Sequence, residues 1–231
     1  MGALIKLALA TVFLAIASIG SAGAVTITNG FTFTVADQFG GAVGVGTHFH
    51  SNTGGSFGNP AGLAEVGRLS PEETRGLAEF NLAGQLVATS AFVTFDVNQL
   101  GGLFGQSNFN GNIDINAYVG NNTEDLSDFQ IATSGAVGSF NSTPLVVGNT
   151  LSFDILSIFN AAIGNGDTSL GIRLQINPLL TANEAIVFNN FLLSTDDRTS
   201  VVPVPAALPL FGTALLGLGF AGYRKRKAKS A

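Results

Sequence analysis

Asn112-Ile113-Asp114-Ile115-Asn116-Ala117-Tyr118-Val119 alternates apolar and polar residues without a break. A period of two places Ile113, Ile115, Ala117 and Val119 on one side of an extended chain and Asn112, Asp114, Asn116 and Tyr118 on the other. The same rhythm recurs upstream. Phe31, Phe33 and Val35 alternate with threonines, and Ala91, Val93, Phe95 and Val97 alternate with Phe92, Thr94 and Asp96. Downstream it returns in Leu151, Phe153 and Ile155, and in Leu170, Ile172, Leu174 and Ile176 around Gly171, Arg173 and Gln175. Each run predicts a strand with one buried face. Turn residues such as Gly120-Asn121-Asn122 and Gly164-Asn165-Gly166-Asp167 separate them, so the expected fold is all-β, a sandwich or barrel.

Two stretches depart from this rhythm. Ile155, Ile158, Phe159, Ala162 and Ile163 have helical spacing, which predicts one short helix ended by Gly164. Ser70-Pro71-Glu72-Glu73 has the form of a capping box with proline at the first helical position, and predicts a single turn ahead of the strand-like Ala78, Phe80 and Leu82. The Gly-rich runs at 40–46 and 51–55 read as long loops. No internal repeat is present.

The two ends differ in kind from the body. Residues 1–24 carry Lys6, then the apolar run 7–19, then Ser21-Ala22-Gly23-Ala24. That is the order of a secretory signal peptide, with Ala22 and Ala24 as the small residues of the cleavage site and Val25 as the first mature residue; the alternative is an uncleaved anchor. At the other end, residues 206–223 contain no charge. As a helix they span roughly 27 Å at ~1.5 Å per residue, close to the ~30 Å of a hydrocarbon core. Arg224, Lys225, Arg226, Lys227 and Lys229 follow, and such a cationic tail stays in the cytoplasm, which puts the body outside. An apolar core helix of a soluble domain is the competing reading. The expected organisation is therefore a signal peptide over 1–24, an extracytoplasmic domain over 25–199 and a C-terminal segment over 200–231.

Composition narrows the function of the body. Residues 25–199 hold no lysine and only Arg68, Arg75, Arg173 and Arg198 against all 15 acids, a net of −11. Nucleic acid, which needs Lys and Arg for its phosphates, is excluded as a partner. Cysteine is absent, so the exported domain must stand on its own core. At this length burial of about 70 per cent of the unfolded surface makes that feasible.

Candidate chemistry is sparse. Gly54-Gly55-Ser56-Phe57-Gly58 matches G-x-S-x-G, but a nucleophile elbow requires a strand before it, a helix after it and a downstream His, and no His follows His50. His48 and His50 project to one side if extended; two polar residues in a Gly-rich loop are weighed against two metal ligands, which do not complete a zinc set. Asn110, Asn112, Asp114 and Asn116 share a strand face, read as a solvated surface or as oxygen donors to calcium or a sugar. Glu72 and Glu73 are adjacent and point apart, unlike an acid/base pair across a cleft. No catalytic set and no cofactor site is recognised.

Val202-Pro203-Val204-Pro205-Ala206, the apolar segment and the basic tail, in that order, resemble the PEP-CTERM family of sorting signals, in the variant whose motif reads VPLPA. The resemblance implies a Gram-negative cell-surface or secreted protein. Its precursor would be held in the inner membrane and processed by signal peptidase and by an exosortase, with exopolysaccharide and biofilm as the usual setting. Between residues 72 and 194 the chain resembles DNRLRE-type extracellular jelly-roll modules. The resemblance is carried by the run 73–82, Ala117-Tyr118-Val119-Gly120, Ser127-Asp128-Phe129, Leu151-Ser152-Phe153-Asp154-Ile155 and the run 170–174. It implies a jelly-roll-like β-sandwich of a kind that includes carbohydrate binders. Two main function classes follow: a non-catalytic surface or matrix protein, and a specific carbohydrate-binding module. Sugar platforms favour Trp and Tyr, and with no Trp and only Tyr118 and Tyr223 the first class is preferred, a secreted hydrolase ranking third.

Overall fold

A computed structural model describes residues 26–38, 43–50, 62–176 and 183–195, all within one compact unit, Val25–Asp197. The expected signal peptide and its cleavage site, the 51–58 region, the sorting motif, the apolar C-terminal segment and the basic tail lie outside the described residues. Among those described, no helix is long and apolar enough to cross a membrane.

Among the described residues the unit is all-β apart from one helix and one 3-10 turn. Its strands are β1 (Thr26–Asn29), β2 (Phe31–Asp37), β3 (Gly46–Phe49), β4 (Ala64–Leu69), β5 (Glu72–Asn81) and β6 (Ala91–Leu100). They continue as β7 (Ser107–Asn108), β8 (Asn112–Val119), β9 (Thr133–Asn141), β10 (Thr150–Asp154), β11 (Ser169–Ile176) and β12 (Glu184–Thr195). One sheet runs in the order β10-β6-β12-β4-β5-β11-β8-β9, antiparallel along this path, with β1 antiparallel and the short β7 parallel on β12, β2 on β5 and β3 on β2. The sheet curls until its two end strands meet through side chains, the rings of Phe140 on β9 and Phe153 on β10 standing 5.8 Å apart. That closure encloses the main core. Phe95 lies at its centre, stacked on Phe191 at 4.7 Å and on Phe153 at 5.7 Å, with Phe188 edge-on at 5.3 Å.

Period two is obeyed on the face that lines this core. Ile113, Ile115, Ala117, Leu170, Ile172, Leu174 and Ile176 are all buried there. The expectation that only one face is buried fails, because β2 and β3 extend the sheet beside β5 and the segment after β8 packs on the outer face they share with β5, β8 and β11. There a second cluster forms from Phe33, Val35, Phe49, Leu77, Tyr118 and Phe129. Tyr118, expected to face solvent, is 0 % exposed, while Val119, expected inside, is 44 % exposed at the end of β8. Gly171 makes room for the tyrosine: paired directly opposite on β11, a Cβ there would come 2.1 Å from the Tyr118 ring.

The helix α1 (Leu156–Asn165) forms where predicted and buries Phe159 and Ala162. Its start is held by Asp154 Oδ1, which accepts the Leu156 amide at 2.8 Å. It stops at Gly166 rather than Gly164, since Gly166 takes the left-handed φ of 76° that closes the last turn. Ser70 and Pro71 do not begin a helical turn; they are the two-residue link of the β4–β5 hairpin, in which Leu69 pairs with Glu72.

Candidate functional site

Most of the buried titratable groups among the described residues gather in two places, both beneath loops. The first is a polar seat under the connection 120–132 between β8 and β9. Glu79, on β5, is fully buried, and its Oε2 accepts the backbone amides of Asn121 at 3.1 Å and Asn122 at 2.8 Å and the Ser169 hydroxyl at 2.9 Å. Asn122 tolerates the positive φ of 61° that turns its amide inward. Further along, Asp125 caps the 3-10 turn Leu126–Phe129, and Asp128 Oδ2 accepts the Asp125 amide in return at 3.2 Å, a reciprocal capping box.

Two arginines hold the same segment by its carbonyls. Arg173 Nη1 donates to Asp128 O at 3.1 Å and to Ile131 O at 3.0 Å. Arg75 Nη1 donates to Phe129 O at 2.6 Å, its guanidinium 4.0 Å over the Phe129 ring, and its Nε donates to Glu73 Oε1 at 2.8 Å. Burial dominates the electrostatics of the seat. It pushes the Asp128 carboxyl up to about 7, with the charges of Glu79 and Asp125 adding to the rise and the Asp125 amide and Arg173 opposing it. Burial, with Glu79 and Asp128 nearby, raises the Tyr118 phenol well above its ordinary value. It also lowers Arg173, with Arg75 adding to the effect. Asp125 is the exception: burial raises it, but hydrogen bonds from Ser127 and Asn121 outweigh this and bring it below the usual carboxylate range. The Tyr118 hydroxyl and Glu79 Oε1 are both buried and outside hydrogen-bond geometry.

The second place joins β3, β4 and the turn after β6. His50, 3 % exposed, meets Glu65 Oε2 through Nδ1 at 2.5 Å, and its ring packs 4.7 Å from that of Phe104. Glu65 Oε1 accepts the Leu103 amide at 3.0 Å and Gln106 Nε2 at 3.2 Å. A carboxylate on Nδ1 is how an imidazole is oriented for proton transfer or metal ligation. Here the enclosed ring and the loop-holding bonds make the pair a fastener. His50 is thus no loop polar residue but a buried one at the end of β3. His48, its ring centre 6.4 Å away, lies 3.7 Å from Glu72 through Nε2. Among the described residues no three His, Cys, Asp or Glu side chains converge to hold a metal ion.

The remaining sequence candidates are scattered. Asn112 and Asp114 are exposed and Asn116 half-buried on the outer face of β8, Asn112 Oδ1 accepting from Asn141 Nδ2 at 3.0 Å. Asn110 precedes the strand and bonds Asn108 instead. Glu72 and Glu73 do point apart, toward His48 and Arg75. Sequence reasoning missed the buried Glu65, Glu79, Asp128 and Arg173 and the half-buried Arg75 beside them. The one available signal was that acids and arginines sit at alternation positions of otherwise strongly apolar strands. No protein-family model and no curated protein matches the chain.

Proposed function

We propose that the chain is a non-catalytic exported protein of the cell surface or extracellular matrix, sorted by an exosortase and associated with exopolysaccharide. The observation that carries this is the order at the C-terminus: Val202-Pro203-Val204-Pro205-Ala206, an uncharged run continuing to Tyr223, then Arg224 to Lys227 and Lys229. The signal-peptide pattern at the other end supports the same route. The body's buried carboxylates and arginines are spent on holding loops, which supports a structural role. Tyr118 is buried and so offers no sugar platform, which favours this reading over a carbohydrate-binding module. The curled sheet is read as jelly-roll-like, in line with the DNRLRE resemblance.

Replacing Pro203 and Pro205 with Ala tests the sorting step. Apolar length and basic tail are unchanged, so insertion persists while the membrane-bound precursor accumulates on immunoblots of membrane, periplasmic and medium fractions. Processing and release like the original chain would reduce the C-terminus to a plain membrane anchor.

A further inference from the structure

The connection 120–132 is attached to the body at both ends and in the middle. Glu79 takes the amides at its start, Arg75 takes the Phe129 carbonyl, and Arg173 takes the carbonyls of Asp128 and Ile131. Under it lies Tyr118, clustered with Phe129 of the connection itself, Phe33 and Val35 of β2, Phe49 of β3 and Leu77 of β5. The charges in the seat nearly cancel when one carboxyl is neutral. Arg75 is matched by Glu73 at 2.8 Å, and Arg173 is left facing two buried carboxyls, Asp128, whose charge it favours, and Glu79, whose charge opposes that of Asp128. Glu79 keeps three donors on its Oε2, whereas Asp128, 1 % exposed, keeps only the Asp125 amide, so Asp128 is the carboxyl that holds the proton. We propose that this connection is a strap released by rising pH, held closed while Asp128 carries a proton and lifted when Asp128 ionises beside Glu79.

Every element packed on Asp128 contributes to that balance. Its own turn brings Asp125, β5 brings Glu79, Glu73 and Arg75, β8 brings Tyr118 and β11 brings Arg173. The titratable groups of β2 and β3 are committed elsewhere: Asp37 accepts the amides of Gly44 and Glu73 at 2.7 Å each, and His48 faces Glu72. An unpaired charge in such a seat is costly, and water reaches it most cheaply by local opening of a loop rather than by unfolding the sheet. Burial of Asp128 sets its proton affinity near neutrality, about 7 against an ordinary 3.8. Closure is therefore fully favoured below the ordinary value and loses ground as pH rises to about 7, above which the loss is complete.

Hydrogen exchange on the full-length chain at pH 5.5, 7.0 and 8.5, corrected for intrinsic rates, reads this directly. Amides of 120–132 should lose at least about tenfold in protection between pH 5.5 and 8.5, since each unit of unequal proton affinity is tenfold in the opening equilibrium, while amides of β6 hold theirs. Asp128→Asn should keep the strap protected at both extremes. Should that variant not fold, the wild-type series alone decides. Strap protection that is independent of pH, that falls in parallel with β6, or that keeps its pH dependence in Asp128→Asn overturns the proposal.

Discussion

The main core and the seat beneath the 120–132 strap lie on opposite faces of the same strands and are built by opposite means. Inside the curl, Phe95, Phe140, Phe153, Phe188 and Phe191 pack ring against ring, and the stabilisation is burial of area with no direction to it. On the other face, Glu79, Asp128 and Arg173 are buried and Arg75 is half-buried among Phe33, Leu77, Tyr118 and Phe129, and the stabilisation depends on each hydrogen bond being kept. A dry core tolerates a change in pH; a polar seat does not. The comparison assigns the sheet's stability to the first region and the position of one connection to the second.

The comparison can be broken most severely at Phe95. Phe95→Ala removes the ring that four others touch, and a loss of about 3–5 kcal/mol in unfolding free energy is expected from cavity formation; under 1 kcal/mol in chemical denaturation would mean that the curl does not rest on this centre. Glu79→Gln should cost less, about 1–3 kcal/mol, because shape is kept while a buried acceptor of three hydrogen bonds loses its charge. Its signature is regional, with hydrogen exchange accelerated in 120–132 and not in β6. A uniform acceleration would erase the distinction between the two regions. On the solvated outer face, Asn112→Ala and Asp114→Ala should stay within about 0.5 kcal/mol of the parent. A larger loss, or a melting temperature that calcium raises in the parent and not in Asp114→Ala, would make that face a binding surface.

How much of this was legible follows from the range of the interactions. The strands at 91–97, 113–117 and 170–176 are written locally, each in a period of two that needs only its own residues. So is α1, although its end at Gly166 instead of Gly164 depended on which glycine took the left-handed conformation. The seat is not local. Arg173 reaches carbonyls 45 and 42 residues away in sequence, and Glu79 reaches amides 42 and 43 residues away. Along its own strand each charged residue reads as a solvent-facing position, and only the strap folding over the face that β2 and β3 extend makes it interior. Tyr118 shows the same limit, a polar-tipped residue in the polar phase of its strand that becomes the floor of a second core. His50 was singled out by its type, yet Glu65, its partner 15 residues on, carried no pattern to mark it.

The claim that joins these regions to a role is that the body is displayed outside the cell after both ends have been processed. Intact-mass measurement of the protein recovered from the surface or medium of its native host tests this most directly. The account predicts a species beginning at Val25 and ending near the 202–206 motif, without Arg224 to Lys229. A recovered chain that retains the basic tail, or that still begins at Met1, would contradict it.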